Sequence, residues 1–196
     1  MNAKQERKER SHQTILESAG RLLRSRGIVG ARVADVMQGA GLTVGGFYAH
    51  FASKDELVSE VLHRLGAEYR ERLFTNIDEK PPGDRVTVVL KRYLSAAHRD
   101  ASDQGCPFPS IVGEVATTAP EQREALGEEI GALIERLASL MPQRPGHKTR
   151  TLAIGLVALM IGGLSLSRAL RGTALSDEVI HACRLLGVAA TQGLDL

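Results

Sequence analysis

Apolar residues recur every three or four positions along most of the chain, and almost nowhere every second position. That period is the mark of amphipathic helices, and the missing alternation argues against strands. The first helix is expected over about 10–26, with Ile15, Ala19, Leu22 and Leu23 on one face and Gly27 as a left-handed cap at its end. A short helix near 33–39 follows, then Gly41, placed where a tight turn between helices needs positive φ. A third helix covers about 44–51, with Phe47 and Phe51 turned to a core. Ser53-Lys54-Asp55-Glu56 reads as a capping box that opens a long helix reaching about Ile77.

Beyond the linker "EKPPGD" the pattern predicts helices over about 84–100, from Pro107 to about 116, and from Pro120 to about Leu140. After the loop "PQRPG" two more follow, about 147–171 and 176–192, the last with Ser176 as N-cap. The fold class is therefore all-α, with about nine helices.

Three short helices with a glycine turn before the third form a helix-turn-helix pattern over about 31–51. We place a DNA-binding domain at 1–52 and a helical ligand-binding and dimerisation domain at 53–196. In such a motif the last helix enters the major groove. Gly45 and Gly46 hold no side chain between backbone and duplex. Thr43 has the chemistry to cap the helix and bond a phosphate, Tyr48 offers a phenol, and His50 and Lys54 offer further donors. Phosphate contacts of this kind orient a protein without reading sequence.

Charge strengthens that reading. Formal net charge is only +2, yet residues 1–54 carry nine Lys/Arg against four Asp/Glu. A basic first quarter on an acidic remainder fits a polyanion-facing end. A dinucleotide loop is excluded: Val44 stands where a third glycine belongs, and no strand precedes it.

The stretch "ARVADVMQGAGLTVGGFYAHFASKDELVSEVL" resembles the DNA-binding domain of the TetR family of bacterial transcriptional regulators. The match covers about residues 10–62. It includes the turn glycine, the Phe-Tyr and His-Phe pairs and the Ser-Lys-Asp-Glu-Leu helix start. The resemblance implies a dimer of all-helical chains, a double-stranded operator as partner, and a small-molecule effector of unstated identity. It puts Thr43, Val44, Gly45, Gly46, Tyr48, His50 and Lys54 at positions that commonly touch DNA. Ala31-Arg32 stand where the family often has Ser or Thr, so Arg32 is expected to bring a charge in place of a capping contact.

In the remaining two thirds, Gly155 and Gly162 share a helix face with Leu159 and Leu166. A stripe of small residues lets two backbones approach closely, and with the resemblance it is read as the dimer interface. The effector question centres on "GCPFPSIVGEVA". Cys106 stands just before a helix start, where exposed amides favour a thiolate. Together with the resemblance, that makes it a candidate sensor of oxidants or electrophiles, against a plain packing role. Cys183 is read as packing. Phe108, Tyr69, Phe74, Tyr93, His98, Met141 and Met160 are the candidate lining of an apolar pocket.

Other classes find little footing. Two distant cysteines make neither a disulfide scaffold nor a zinc site, and fit a reducing cytoplasm. No signal peptide is expected at the polar N-terminus. The longest apolar run, Leu152–Leu166, has 15 residues, against the ~20 needed for a membrane span, and is read as a buried helix. His98, Asp100 and Asp103 fit no metal-ligand spacing, and no nucleophile elbow or phosphate loop is present. No cofactor, metal or catalytic residue is expected. The rival class is a helical enzyme or small-ligand carrier with no DNA role.

Overall fold

The structure, a computed structural model, describes residues 3–101, 104–142 and 148–192. Among them it contains nine α-helices, three short 3-10 helices and no strand. The helices are α1 Ala3–Gly30, α2 Val33–Gly39, α3 Lys54–Leu73, α4 Arg85–Tyr93, α5 Ala96–Asp100, α6 Phe108–Thr117, α7 Arg123–Ala138, α8 Lys148–Ala169 and α9 Ala174–Thr191. Asp103 and most of the "PQRPG" loop lie outside the described residues. Two compact units divide the chain: Met1–Gly66 with Cys106–Gly127, and Ala67–Gly105 with Glu128–Leu196.

In the first unit α1 packs against α2 and α6. Its core is Ile15, Leu16, Ala19 and Leu23 from α1, Val36 and Met37 from α2, and Leu57, Val58, Val61 and Leu62 from α3. Gly27 has φ 70° and breaks the helical course of α1, as expected of a left-handed residue. Gly41 has φ 69° and turns the chain out of α2. At the start of α3 the Glu56 amide donates to Ser53 Oγ at 3.1 Å. The Glu56 carboxylate reaches back to the Ala52 amide, one residue ahead of the usual capping-box partner.

In the second unit α8 lies along α9, and both meet α4. Val89, Leu90, Tyr93 and Leu94 are buried there, as are Ala153, Leu156, Val157, Met160 and Leu164. Gly163 allows the close approach: a Cβ there would come within 2.8 Å of Cys183 Sγ. Cys183 thus fills a helix contact, and burial pushes its thiol pKa up. By length and composition α8 is apolar enough to cross a membrane. Within the unit it buries the stripe through Ala153, Leu156, Val157, Met160 and Leu164.

Three expectations need correction. The segment expected to read DNA, Val44–Ala49, is a 3-10 helix, tighter than the α-helix its spacing suggests. The helix expected over 84–100 is two helices, because Leu94 leaves helical geometry and Ser95 restarts the chain, its hydroxyl accepting from the His98 amide at 3.2 Å. Ser176 is not the cap of α9. Thr173 holds that place, and Ser176 is buried one turn in, donating to the Ser167 carbonyl at 2.7 Å.

Candidate functional site

The segment after Gly41 is built as a thin rod on an aromatic floor. The Gly46 amide donates to the Thr43 carbonyl at 3.0 Å and the His50 amide to the Phe47 carbonyl at 2.9 Å. Phe47 and Phe51 are buried on its inner side, ring centroids 5.6 Å apart, and Phe51 stacks on His12 of α1 at 4.7 Å. Those contacts hold the rod by one side only. On the other side Tyr48 is 75% exposed and Val44 51%. A Cβ at Gly45 would meet nothing within 4 Å. Tyr48 leans edge-on against Phe47 at 5.3 Å, so its hydroxyl is presented outward from a fixed ring. Thr43 occupies the N-cap position with an exposed side chain that makes no cap bond, leaving its hydroxyl to other partners. Arg32 is exposed at the N-cap of α2, also without a side-chain cap bond.

His50 and Lys54 sit differently from the rest. His50 is partly sheltered beside His12, ring centroids 5.8 Å apart. Burial, then the neighbouring His12 and Lys8, lower its pKa from the ordinary histidine value. Lys54 Nζ donates to the Ile28 carbonyl at 2.7 Å, behind the break at Gly27. The same peptide is held from its other side. The amides of Ile28 and Val29 both donate to the carboxylate of Glu114 on α6. A Cβ on residue 27 would collide with that carboxylate, so glycine is required there for space as well as for φ. Residues 32, 43–48, 50 and 54 thus fall within one compact unit, with the rod's tip as its bare part. Glu114 escapes a reading of the sequence, since its partners lie 86 and 85 residues away along the chain and no local spacing announces them.

The candidate effector residues separate. Cys106 and Phe108 are buried in the first unit, with Cys106 only 1% exposed. Tyr69, Tyr93, His98 and Met160 belong to the second unit, and three of them form a ring cluster. His98 stacks on Tyr69 at 5.2 Å and meets Tyr93 edge-on at 4.8 Å. Its Nδ1 donates to the Tyr93 carbonyl at 2.7 Å. Burial, opposed by that bond and reinforced by Arg168 and Arg72, lowers the His98 pKa to about 4. Against this cluster opens a cavity of about 300 Å³ whose lining includes Tyr69, Arg72, Leu73, Arg92, His98 and Gln104. Met160 is buried on α8 and is not part of that lining. The two arginines carry no signal in the sequence, where each reads as an ordinary solvated helix residue.

On the proposed dimer face, Gly155 and Gly162 have open space around them, and Leu166 is 57% exposed. Leu159 is partly turned inward, within reach of Gly187 on α9. Among the described residues no cluster of three or more His, Cys, Asp or Glu could hold a metal.

Comparison with known proteins connects this geometry to a family. A model described as bacterial regulatory proteins, tetR family, matches residues 15–61. A second, described as tetracyclin repressor-like, C-terminal domain, matches residues 82–183. The HTH-type transcriptional repressor NemR of Escherichia coli (strain K12) is 25% identical over 144 residues, 72% of this chain and 71% of NemR. The repressor KstR2 of Mycobacterium tuberculosis is 41% identical over 61 residues, 29% of this chain and 30% of KstR2. A TetR-family regulator from Cytophaga hutchinsonii has the same fold, with a TM-score of 0.78 at 22% identity over 94% of this chain and 96% of its own. So has the reduced form of NemR, with a TM-score of 0.73 at 20% identity over 88% and 94%. The chain belongs to the TetR family of bacterial regulatory proteins and is a DNA-binding transcriptional regulator.

Proposed function

We propose that the protein is a cytoplasmic repressor that binds a roughly palindromic operator as a homodimer and leaves it when a small effector occupies the second unit. It acts by binding rather than by catalysis. The observation that carries this reading is the one-sided rod at 44–50, floored by Phe47 and Phe51 and bare at Val44, Gly45 and Tyr48. The residues that would meet DNA are Arg32, Thr43, Val44, Gly45, Gly46, Tyr48, His50 and Lys54. The dimer is supported by the open glycines of α8 together with exposed Leu166, Leu185 and Leu186 on α8 and α9. A two-fold dimer sets its two rods ~34–36 Å apart, one helical turn along the duplex. Effector control follows if the ligand prefers one body state and so shifts the population of the other.

A gel-shift titration against the DNA upstream of the protein's own gene tests this. Specific retention that Tyr48→Ala weakens is the expected result. Equal, salt-sensitive binding to every sequence would overturn the operator reading, and a monomer at micromolar concentration would overturn the dimer.

A second reading concerns Cys106. It stands two residues ahead of α6, the helix whose other end carries Glu114 against Ile28 and Val29. Addition of its sulfur to an electrophile such as a quinone would enlarge a buried side chain and push on that helix. Cys106→Ser and wild-type protein exposed to a quinone should then differ in release from DNA; identical release removes the idea.

A further inference from the structure

We propose that the cavity against Tyr69 receives a small organic anion, an aryl carboxylate or close equivalent, held by Arg72 and Arg92. This rests on reading that cavity as the effector site.

Both guanidinium groups are fixed by backbone carbonyls. Arg72 Nη2 donates to the Gln104 carbonyl. Arg92 Nη1 donates to the carbonyls of Leu73 and Thr75, both at 2.8 Å. Carbonyl oxygens fix the position of a guanidinium without cancelling its charge. A guanidinium carries five N–H donors in a planar fork, and these bonds leave most of them for another acceptor. Among the described residues neither arginine has a carboxylate within 4 Å. Among the described residues, then, two arginines without a carboxylate partner line one cavity.

A neighbouring cavity of about 360 Å³ in the same unit supplies the contrast. It too is lined by two arginines, Arg70 and Arg136. There Arg70 meets Glu129 at 2.8 Å and Arg136 meets Asp78 at 2.9 Å. Its cations are already matched within the chain. Those of the Tyr69 cavity are matched by no carboxylate among the described residues, which leaves their donors open to an anionic ligand.

The surroundings narrow the ligand. A third guanidinium, Arg168, donates to the His98 carbonyl at 3.1 Å. The imidazole of His98 is kept neutral by its burial and by Arg168 and Arg72, so it offers no competing charge. The Tyr69 ring, Leu73 and Ala101 give apolar wall beside the cations. The volume of about 300 Å³ is at the small end of ligand pockets, the size of a single ring with its substituent. Arginine forks suit the two oxygens of a carboxylate.

Calorimetric titration of the full chain with benzoate and with its neutral isostere benzamide tests the inference. Benzoate should bind about tenfold tighter or more, as charge-assisted bonds predict. Arg72→Gln and Arg92→Gln should each erase most of that preference while leaving the weaker benzamide affinity in place. Arg72→Lys should keep part of it, and helicity by circular dichroism confirms that each variant is folded. Equal affinity for the two probes, or a preference that neither glutamine variant touches, would overturn the anion assignment and point to a neutral effector. No heat from either probe would remove the cavity as a ligand site altogether. Arginine-dependent benzoate binding that leaves operator affinity unmoved would uphold the anion site and remove the effector reading.

Discussion

The protein anchors cations on backbone carbonyls in two places, and the two are completed differently. In the first unit Lys54 donates to the Ile28 carbonyl, while the Glu114 carboxylate accepts from the amides of Ile28 and Val29. Donor and acceptor close on one peptide, and an acid stands near the base. In the second unit Arg72 and Arg92 also donate to carbonyls, but no described acid joins them. Both arrangements aim a positive charge without neutralising it by direct contact. The first charge sits at the start of α3, beside the proposed DNA-reading rod; the others face a cavity. Where a cation is held and whether it is balanced are thus independent properties.

The DNA-reading side of that contrast depends on its aromatic floor. Phe47→Ala should cost about 3–5 kcal/mol of stability, as large-to-small core changes do, and abolish specific DNA binding with it. Denaturant melts and gel shifts on the same samples would show the two losses together. DNA binding that persisted in a folded Phe47→Ala chain would break the idea that the floor sets the rod.

Next comes acid sensitivity in the cavity region. The His98 pKa of about 4 lies below the ~6.5 of an unfolded histidine. The unfolded chain therefore binds more protons between those values. Stability should fall as pH drops from about 6.5 toward 4, by roughly 2–3 kcal/mol at the lower limit. Melting temperatures of wild type and His98→Asn across that window check it, and the variant should lose the slope.

A smaller effect is expected at the clasp. Glu114→Ala leaves the part-buried Ile28 amide and the exposed Val29 amide without their acceptor, at about 1–3 kcal/mol, most of it at Ile28. Amide exchange at Ile28 and Val29 should quicken more than elsewhere in α1. Uniform protection would show that water replaces the carboxylate at little cost.

Smallest is Lys54→Ala. If Lys54 moves from the Ile28 carbonyl to a phosphate when DNA arrives, the variant should bind all sequences more weakly, with a salt slope reduced by about 0.9. Reduced stability with the slope intact would leave Lys54 as a strap within the protein, and the two carbonyl-held cations of the cavity as the ones open to an outside anion.

Local features are legible in the sequence itself. The turns at Gly27 and Gly41 call for positive φ, and both residues adopt it. The Ser53 hydroxyl serves the Glu56 amide as their spacing implies. Phe47 and Phe51 turn inward as their i,i+4 spacing requires. Each of these can be read from residue type and spacing over a few positions. What stays hidden depends on distant ones. Glu114 finds its amides 86 and 85 residues upstream, and Ser176 gives up a capping role because Ser167 is there to bond it. The break at Ser95 is hidden for a subtler reason, since the apolar rhythm continues across it while the serine hydroxyl restarts the chain. Arg72 and Arg92 acquire meaning only when folding brings helix α4 beside the end of α3.

The clasp of Glu114 on Ile28 also bears on how the molecule is made. Residues 106–127 belong to the same compact body as residues 1–66. During synthesis residues 1–66 emerge first, yet the carboxylate that holds Ile28 and Val29 arrives only once residue 114 has emerged. Until then the first unit lacks the carboxylate that holds Ile28 and Val29, and that body is complete only after α6 has been translated.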